Sequence, residues 1–270
     1  MLISPPLLEA YPTAFYDAVQ RAGVQLGLEA LIDAGDARSY AGSGQTVTDL
    51  SGKGLDCWLG KTSGADTNEP TFSGVAGRQS ASDYFAFAAS ASPGVVAAKS
   101  KTTWVNSLHK DNATFTLAGW FYATADSGSG ASFFQSGDPT DPGIWIYIGQ
   151  PALGSDNKLG FRKYSNGGAS EQVITDAGPT VPFGSWAFVA VSFNEATGAL
   201  ITQVNGTQVT ESGKTYSTNA TADIAGISLN TSPHTASSSA RVASVAGWSR
   251  ALSAAEMTSL FEASRAKYGV

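Results

Sequence analysis

The stretch FGSWAFVAVSFNEATGALITQVNGTQV, residues 183–209, decides the fold. A strand sends successive side chains to opposite faces, so alternation is the signature of a half-buried strand. Here Trp186, Phe188 and Ala190 share one face, and Ala187, Val189, Val191 and Phe193 share the other. Both rows are apolar, which predicts a strand covered on both sides. After the loop Asn194–Gly198, a second run places Leu200, Thr202 and Val204 on one side and Ile201, Gln203 and Asn205 on the other. It meets Asn205-Gly206, the dipeptide that best tolerates the two positive φ angles of a type I′ hairpin, and continues to Val209. Three antiparallel strands are expected from this one window.

The rest of the chain is consistent with an all-β domain. Only 14% of its 270 residues are charged, against roughly 25% in an average soluble domain, so a large core can form. Its 30 glycines suit a fold with many turns. Further strand-like segments are read at Asp83–Ala88, Thr114–Tyr122, Ser132–Gln135, Ile144–Ile148, Leu159–Tyr164, Glu171–Thr175 and Arg241–Trp248, a spacing that fits a sandwich. Two helices flank them. YPTAFYDAVQRAG, residues 11–23, sets Phe15, Ala18, Val19 and Ala22 at helical spacing with Gly23 as a stop. Its role is open between a lid on one end of the sandwich and an anchor to a partner. Near the C-terminus, Ser253 and Glu256 form an S-x-x-E capping box. Leu252 and Met257 stand as a hydrophobic staple around it, and Met257, Leu260 and Phe261 make an apolar stripe to pack on the sandwich.

Several classes of function are disfavoured. A formal net charge of -6 offers no basic stripe for phosphates, so neither nucleic acid nor an anionic membrane surface is an expected partner. Cys57 is the single cysteine, so no intrachain disulfide forms. The start MLISPPLLEA lacks the basic and apolar regions of a signal peptide, and no apolar run approaches the roughly 20 residues of a membrane span. Synthesis in a bacterial cytoplasm is expected.

Three groups of residues carry this chain's resemblance to a known family. Residues 182–209 resemble the W-x-x-V-A-V hairpin and V-N-G turn of laminin-G-like members of the concanavalin A-like lectin and glucanase superfamily. VAGWSRALSAAEMTSLFEASRAKYG, residues 245–269, is similar to that family's closing strand and terminal helix. LIDAGDARSYAGSGQTVTDLSGKGLD and TFTLAGWFYA, residues 31–56 and 114–123, resemble its opening strand, its D-L-S-G turn and its central Trp strand. ASDYFAFAAS, residues 81–90, keeps the family's Asp-Tyr but lacks the preceding glycine. The resemblance implies a two-sheet antiparallel jelly-roll sandwich over residues 28–270, with Trp120 and Trp186 in the core, behind an N-terminal helical extension over residues 1–27.

The same family includes glycanases that need an E-x-D-x-x-E strand to supply nucleophile and acid. The segments that should carry it read IWIYIGQ and LGFRKYS and contain no acid. There is also no G-x-S-x-G, and the two Gly-Lys-Thr tripeptides lack the upstream glycine of a P-loop. A binding module fits better. Strand 144–148 sends Trp145 and Tyr147 away from its isoleucines, and strand 159–164 sends Arg162 and Tyr164 away from Phe161. If the isoleucines face the core, Trp145, Tyr147, Arg162 and Tyr164, with Gln135 alongside, form an outward aromatic and cationic strip. Rings stack on the apolar faces of sugars while Arg and Gln donors orient hydroxyls. The alternative is that Trp145 and Tyr147 lie in a second core layer or at a subunit contact.

Calcium is the ion the resemblance implies, with Asp138 and Asp141 in GDPTDPG and Asp49 and Asp56 around the D-L-S-G turn as candidate ligands; aspartates beside Pro and Gly also serve simply as turn formers. The leading expectation is a non-catalytic lectin-like module on a bacteriophage or phage-like virion. It would decorate a head or tail, bind a glycan on the host surface in many copies or as a homo-oligomer, and be held to other virion proteins through its N-terminal segment. A purely structural decoration or spacer subunit is the second reading, and a divergent glycan hydrolase the third.

Overall fold

A computed structural model of the chain describes residues 14–60, 63–65, 69–87, 95–96, 103–124, 131–136, 142–150, 155–164, 171–216, 227, 229 and 239–270. The 183–209 window folds as its alternation requires. β12 (Trp186–Asn194), β13 (Ala199–Val204) and β14 (Thr207–Glu211) form an antiparallel meander. Asn205 and Gly206 take φ angles of 47° and 82° between β13 and β14, the two positive values a type I′ turn demands. Ala187, Val189, Val191 and Phe193 are fully buried on one face of β12, in the cluster between the sheets. Trp186, Phe188 and Ala190 are buried on the other, in a cluster with the helices.

The meander continues into a larger sheet. β7 (Thr114–Ala123) pairs with β12, and β15 (Ala240–Trp248) pairs with β7. The far edge of β15 is shared end to end. Its first residues pair with β5 (Tyr84–Phe87) and its last with β1 (Leu28–Asp33). β4 (Thr71–Ser73) finishes the edge, giving eight strands with the path β14-β13-β12-β7-β15-β5-β4 and β1 joined to β15. Opposite lies a four-stranded sheet in the order β11-β10-β9-β8, made of β8 (Ala131–Gln135), β9 (Gly143–Gln150), β10 (Ser155–Tyr164) and β11 (Glu171–Thr175). A three-stranded patch joins β2 (Thr46–Val47), β3 (Cys57–Leu59) and β6 (Val95–Val96). All pairings between these strands are antiparallel, and the inner faces close over one core that includes Phe115, Phe121, Ile144, Ile146, Phe161 and Phe193. The fold is the antiparallel sandwich with short terminal helices that the sequence predicts.

The helices add a third layer. α1 (Phe15–Arg21) and α3 (Ala254–Ser264) lie on the outer face of the eight-stranded sheet and cover Trp120, Phe188 and Trp248. α1 therefore covers a sheet face and does not lid an end. The Ser253–Glu256 capping box forms with both reciprocal bonds, and the staple residues Leu252 and Met257 are buried. Residues 14–27 pack as part of this body: Phe15, Val19 and Val24 are buried in the helix-side cluster, the Trp248 indole N–H donates to the Val24 carbonyl at 2.6 Å, and Arg250 Nε donates to the Leu26 carbonyl at 2.7 Å. Packing draws no break at residue 27 within the described chain; residues 1–13 lie outside it. α2 (Thr103–Ser107) inserts Trp104, whose indole N–H donates to the Trp248 carbonyl at 3.2 Å.

Candidate functional site

The strip expected on the smaller sheet is gathered but not exposed. β9 and β10 pair Trp145 with Arg162 and Tyr147 with Gly160, which puts their outer side chains together. Trp145 stacks on Tyr147 with ring centroids 4.4 Å apart, and its indole N–H donates to Ser132 Oγ at 2.6 Å. Arg162 Nε donates to the Tyr147 hydroxyl at 2.9 Å, and the guanidinium carbon lies 4.8 Å from the Tyr147 ring centre. A Cβ at Gly160 would collide with the Tyr147 ring, so glycine is what lets the ring lie there. Yet Trp145 and Tyr147 are 0% exposed and Arg162 2%, while Tyr164 and Gln135 are buried as well. The expectation that this strip faces out is overturned. It forms a second core layer, because rings of this size stabilise most when they lose their water entirely. Arg162 is matched by Asp176, whose Oδ2 stands 3.6 Å from a guanidinium nitrogen, too far for a hydrogen bond, and burial pushes the Asp176 carboxyl above its ordinary range.

The aspartates proposed as calcium ligands divide. Asp138 and Asp141 lie outside the described residues. Asp49 is a turn former: Oδ1 accepts from the backbone N–H groups of Leu31 (2.8 Å) and Ser51 (2.9 Å), and Oδ2 from Ser51 Oγ (2.6 Å) and the Leu55 N–H (3.1 Å). Asp56 Oδ1 accepts from the Asp49 N–H at 3.0 Å. Calcium needs six to eight oxygens with free lone pairs, and the Asp49 oxygens face hydrogens instead. The Asp49–Asp56 pair does not fit a calcium ion, and among the described residues no three His, Cys, Asp or Glu side chains converge on a metal position.

A second group of acids is equally committed to structure. Asp33, at the end of β1, is fully buried and accepts from the N–H groups of Phe15 (2.7 Å) and Gly35 (2.9 Å), with Lys267 Nζ 3.6 Å away. Burial raises its pKa against the opposing pull of Lys267. The neighbouring Asp36 is held low by its bonds to Arg38, even though burial opposes this. Carboxylates pushed apart in this way resemble an acid–base pair. Here both are buried and occupied: Asp33 ties the start of α1 and the C-terminal turn to β1, and Asp36 is held by Arg38 within its own turn.

A strip that keeps some exposure lies elsewhere, on the helix side of the larger sheet. Register places Arg241 of β15 opposite Tyr122 of β7 and Ala86 of β5, and Tyr122 opposite Trp186 of β12. The Arg241 guanidinium lies 4.4 Å from the Tyr122 ring centre and 4.9 Å from that of Tyr84, so it sits between two half-exposed tyrosines. Both tyrosines meet Trp186 edge-on, at 5.6 and 5.8 Å, and Trp186 continues inward to Tyr268 at 5.1 Å, which stacks on Trp120 at 4.1 Å. The strip is thus the open end of a packed aromatic column. Among the described residues the Arg241 guanidinium makes no hydrogen bond and no ion pair, whereas Arg38, Arg162, Arg250 and Arg265 each face a carboxylate. Sequence reasoning missed this site. Alternation alone puts Tyr122 on the Trp120 face, but only the pairing of four strands brings residues 84, 122, 186 and 241 together.

The sequence profile described as the Concanavalin A-like lectin/glucanases superfamily, of laminin G type, matches residues 96–258, and the chain belongs to that superfamily. No curated protein sequence matches it. Among solved structures, Trypanosoma rangeli sialidase in complex with sialic acid aligns with a TM-score of 0.55 at 15% identity, covering 87% of this chain and 32% of that one. The binding domain of botulinum neurotoxin DC aligns in complex with SialylT at a TM-score of 0.58 and 13% identity over 88% of this chain and 52% of that one. The same domain with rat synaptotagmin II aligns at 0.57 and 15% over 87% and 51%. The chain spans about a third of the sialidase and about half of the toxin domain, and at these identities the likeness is one of fold.

Proposed function

We propose that the domain is a non-catalytic saccharide-binding module and that Tyr84, Tyr122 and Arg241, backed by the buried Trp186, form its binding surface. The observation that supports this reading is the half-buried pair of tyrosines around an arginine that has no hydrogen-bond or ion-pair partner among the described residues, at the open end of a packed aromatic column. Sugar rings present C–H faces that stack on aromatic rings, and hydroxyls that accept from guanidinium N–H groups. A ring already held by packing loses little freedom on binding, which favours affinity from a small surface. Superfamily membership agrees with a binding role. The setting we propose is a multicopy surface such as a virion, where weak single sites gain strength through copy number. The test is a glycan array probed with the intact protein and with Tyr122→Ala. Binding by the former, reduced at least tenfold in a variant that melts normally, is expected; a protein that retains no glycan, or one whose binding ignores Tyr122, defeats the reading.

A further inference from the structure

Resting on that reading, we infer that the saccharide taken by this strip carries a carboxylate, and that Arg241 is the residue that selects it. A partly buried guanidinium ordinarily secures a carboxylate or a set of carbonyls, because its five donors lose water when rings close over it. Arg241 has rings close on two sides, at 4.4 and 4.9 Å, and among the described residues no acceptor of its own. The contrast with Arg162 is informative: on the opposite sheet the same arrangement of Arg with aromatic rings is supplied with Asp176. The one described acid in sequence contact with the strip, Asp83, is turned to other use, with Oδ1 accepting from the Val75 N–H at 2.9 Å and Oδ2 from the Ser80 N–H at 2.6 Å. An exogenous carboxylate would supply the partner that the described residues do not offer.

The planar fork of arginine matches the two oxygens of a carboxylate in parallel hydrogen bonds, and charge-assisted bonds of this kind are about twice as strong as neutral ones. With the Tyr84 and Tyr122 ring centres 4.9 and 4.4 Å from the guanidinium carbon, the N–H groups turned away from them are the part left for a ligand. A uronic or sialic type of sugar fits, with its carboxylate on that edge and its ring against a tyrosine.

Calorimetry with oligosaccharides that differ only at one terminal sugar, a glucuronate or a glucose, tests this on the intact protein. The glucuronate form is expected to bind at least tenfold more tightly, and Arg241→Gln to bring the two within about twofold of each other by weakening the glucuronate form far more than the glucose form. Equal affinities in the unaltered protein would overturn the carboxylate assignment and leave saccharide binding standing. A preference that survives Arg241→Gln would remove Arg241 from the assignment. No binding of either sugar, with displacement of a probe by a glutamate-rich peptide, would show the strip to be a protein-binding surface and overturn both readings.

Discussion

Two arginines in this protein sit among aromatic rings on outward faces of opposite sheets, and they have different fates. Arg162 lies with Trp145, Tyr147 and Tyr164 on the outside of the four-stranded sheet, fully covered, with Asp176 as its counter-charge and the Tyr147 hydroxyl as its acceptor. Arg241 lies between Tyr84 and Tyr122 on the outside of the eight-stranded sheet, half-buried, with neither among the described residues. The residue types are nearly interchangeable, so composition does not separate a core layer from a binding surface. What separates them is burial: Arg162 is closed off from solvent with a carboxylate 3.6 Å away, whereas Arg241 keeps part of its surface open. A buried cation must be paired by its own chain because an unpaired one costs several kcal/mol; a cation at an accessible edge can remain open for a ligand.

The sharpest way to break this comparison is to truncate one ring from each group. Trp145→Ala should cost about 3–5 kcal/mol, the usual loss for a large aromatic removed from a closed core, and urea denaturation measures it directly. Tyr122→Ala, half-exposed, should cost about 1 kcal/mol or less. If Trp145→Ala were nearly neutral in stability while abolishing glycan retention, the roles of the two strips would be reversed.

The arginines give the next largest contrast. Arg162→Gln leaves Asp176 without its counter-charge and the Tyr147 hydroxyl without its donor, and should cost about 3 kcal/mol. Arg241→Gln removes no hydrogen bond or ion pair within the described chain and should stay within about 0.5 kcal/mol. Matched denaturation curves check both. A loss of similar size at Arg241 would mean that its contacts with Tyr84 and Tyr122 hold the sheet together, leaving it no freedom as a ligand reader.

Much of the fold was legible because it is written in local periods. The two faces of β12, the Asn205-Gly206 turn and the Ser253–Glu256 box each depend on residues within a few positions of one another. The grouping of Trp145, Tyr147, Arg162 and Tyr164 was legible for the same reason, since alternation on β9 and β10 suffices. Their burial was not, because alternation groups side chains on one face without saying whether that face is covered. β2 and β6, two residues each, are too short to show a period. The Arg241 strip was the least legible. Its residues come from β5, β7, β12 and β15, and their meeting depends on the order of strands in the sheet and on a register shift between β15 and β7 near Val242.

The smallest effect is a pH dependence that only the buried strip should carry. Burial raises the Asp176 carboxyl above its ordinary 3.8, so the folded state holds this proton more tightly than the unfolded chain does. A group with a raised folded pKa contributes stability at low pH that is lost as pH rises through the shifted value. Stability should therefore fall, through this group, as pH climbs from about 4 into the mildly acidic range. Asp33, also raised by burial, adds a slope of the same sign, so the measurement is the difference between the unaltered protein and Asp176→Asn across that range. The asparagine variant should lose the Asp176 part of the slope and keep the rest. Arg241→Gln should leave the curve unchanged, because no titrating partner stands beside that guanidinium among the described residues. A slope that changes with Arg241 and not with Asp176 would place a carboxylate at the open strip, and with it the counter-charge that the described residues lack there and on whose lack the proposed binding surface rests.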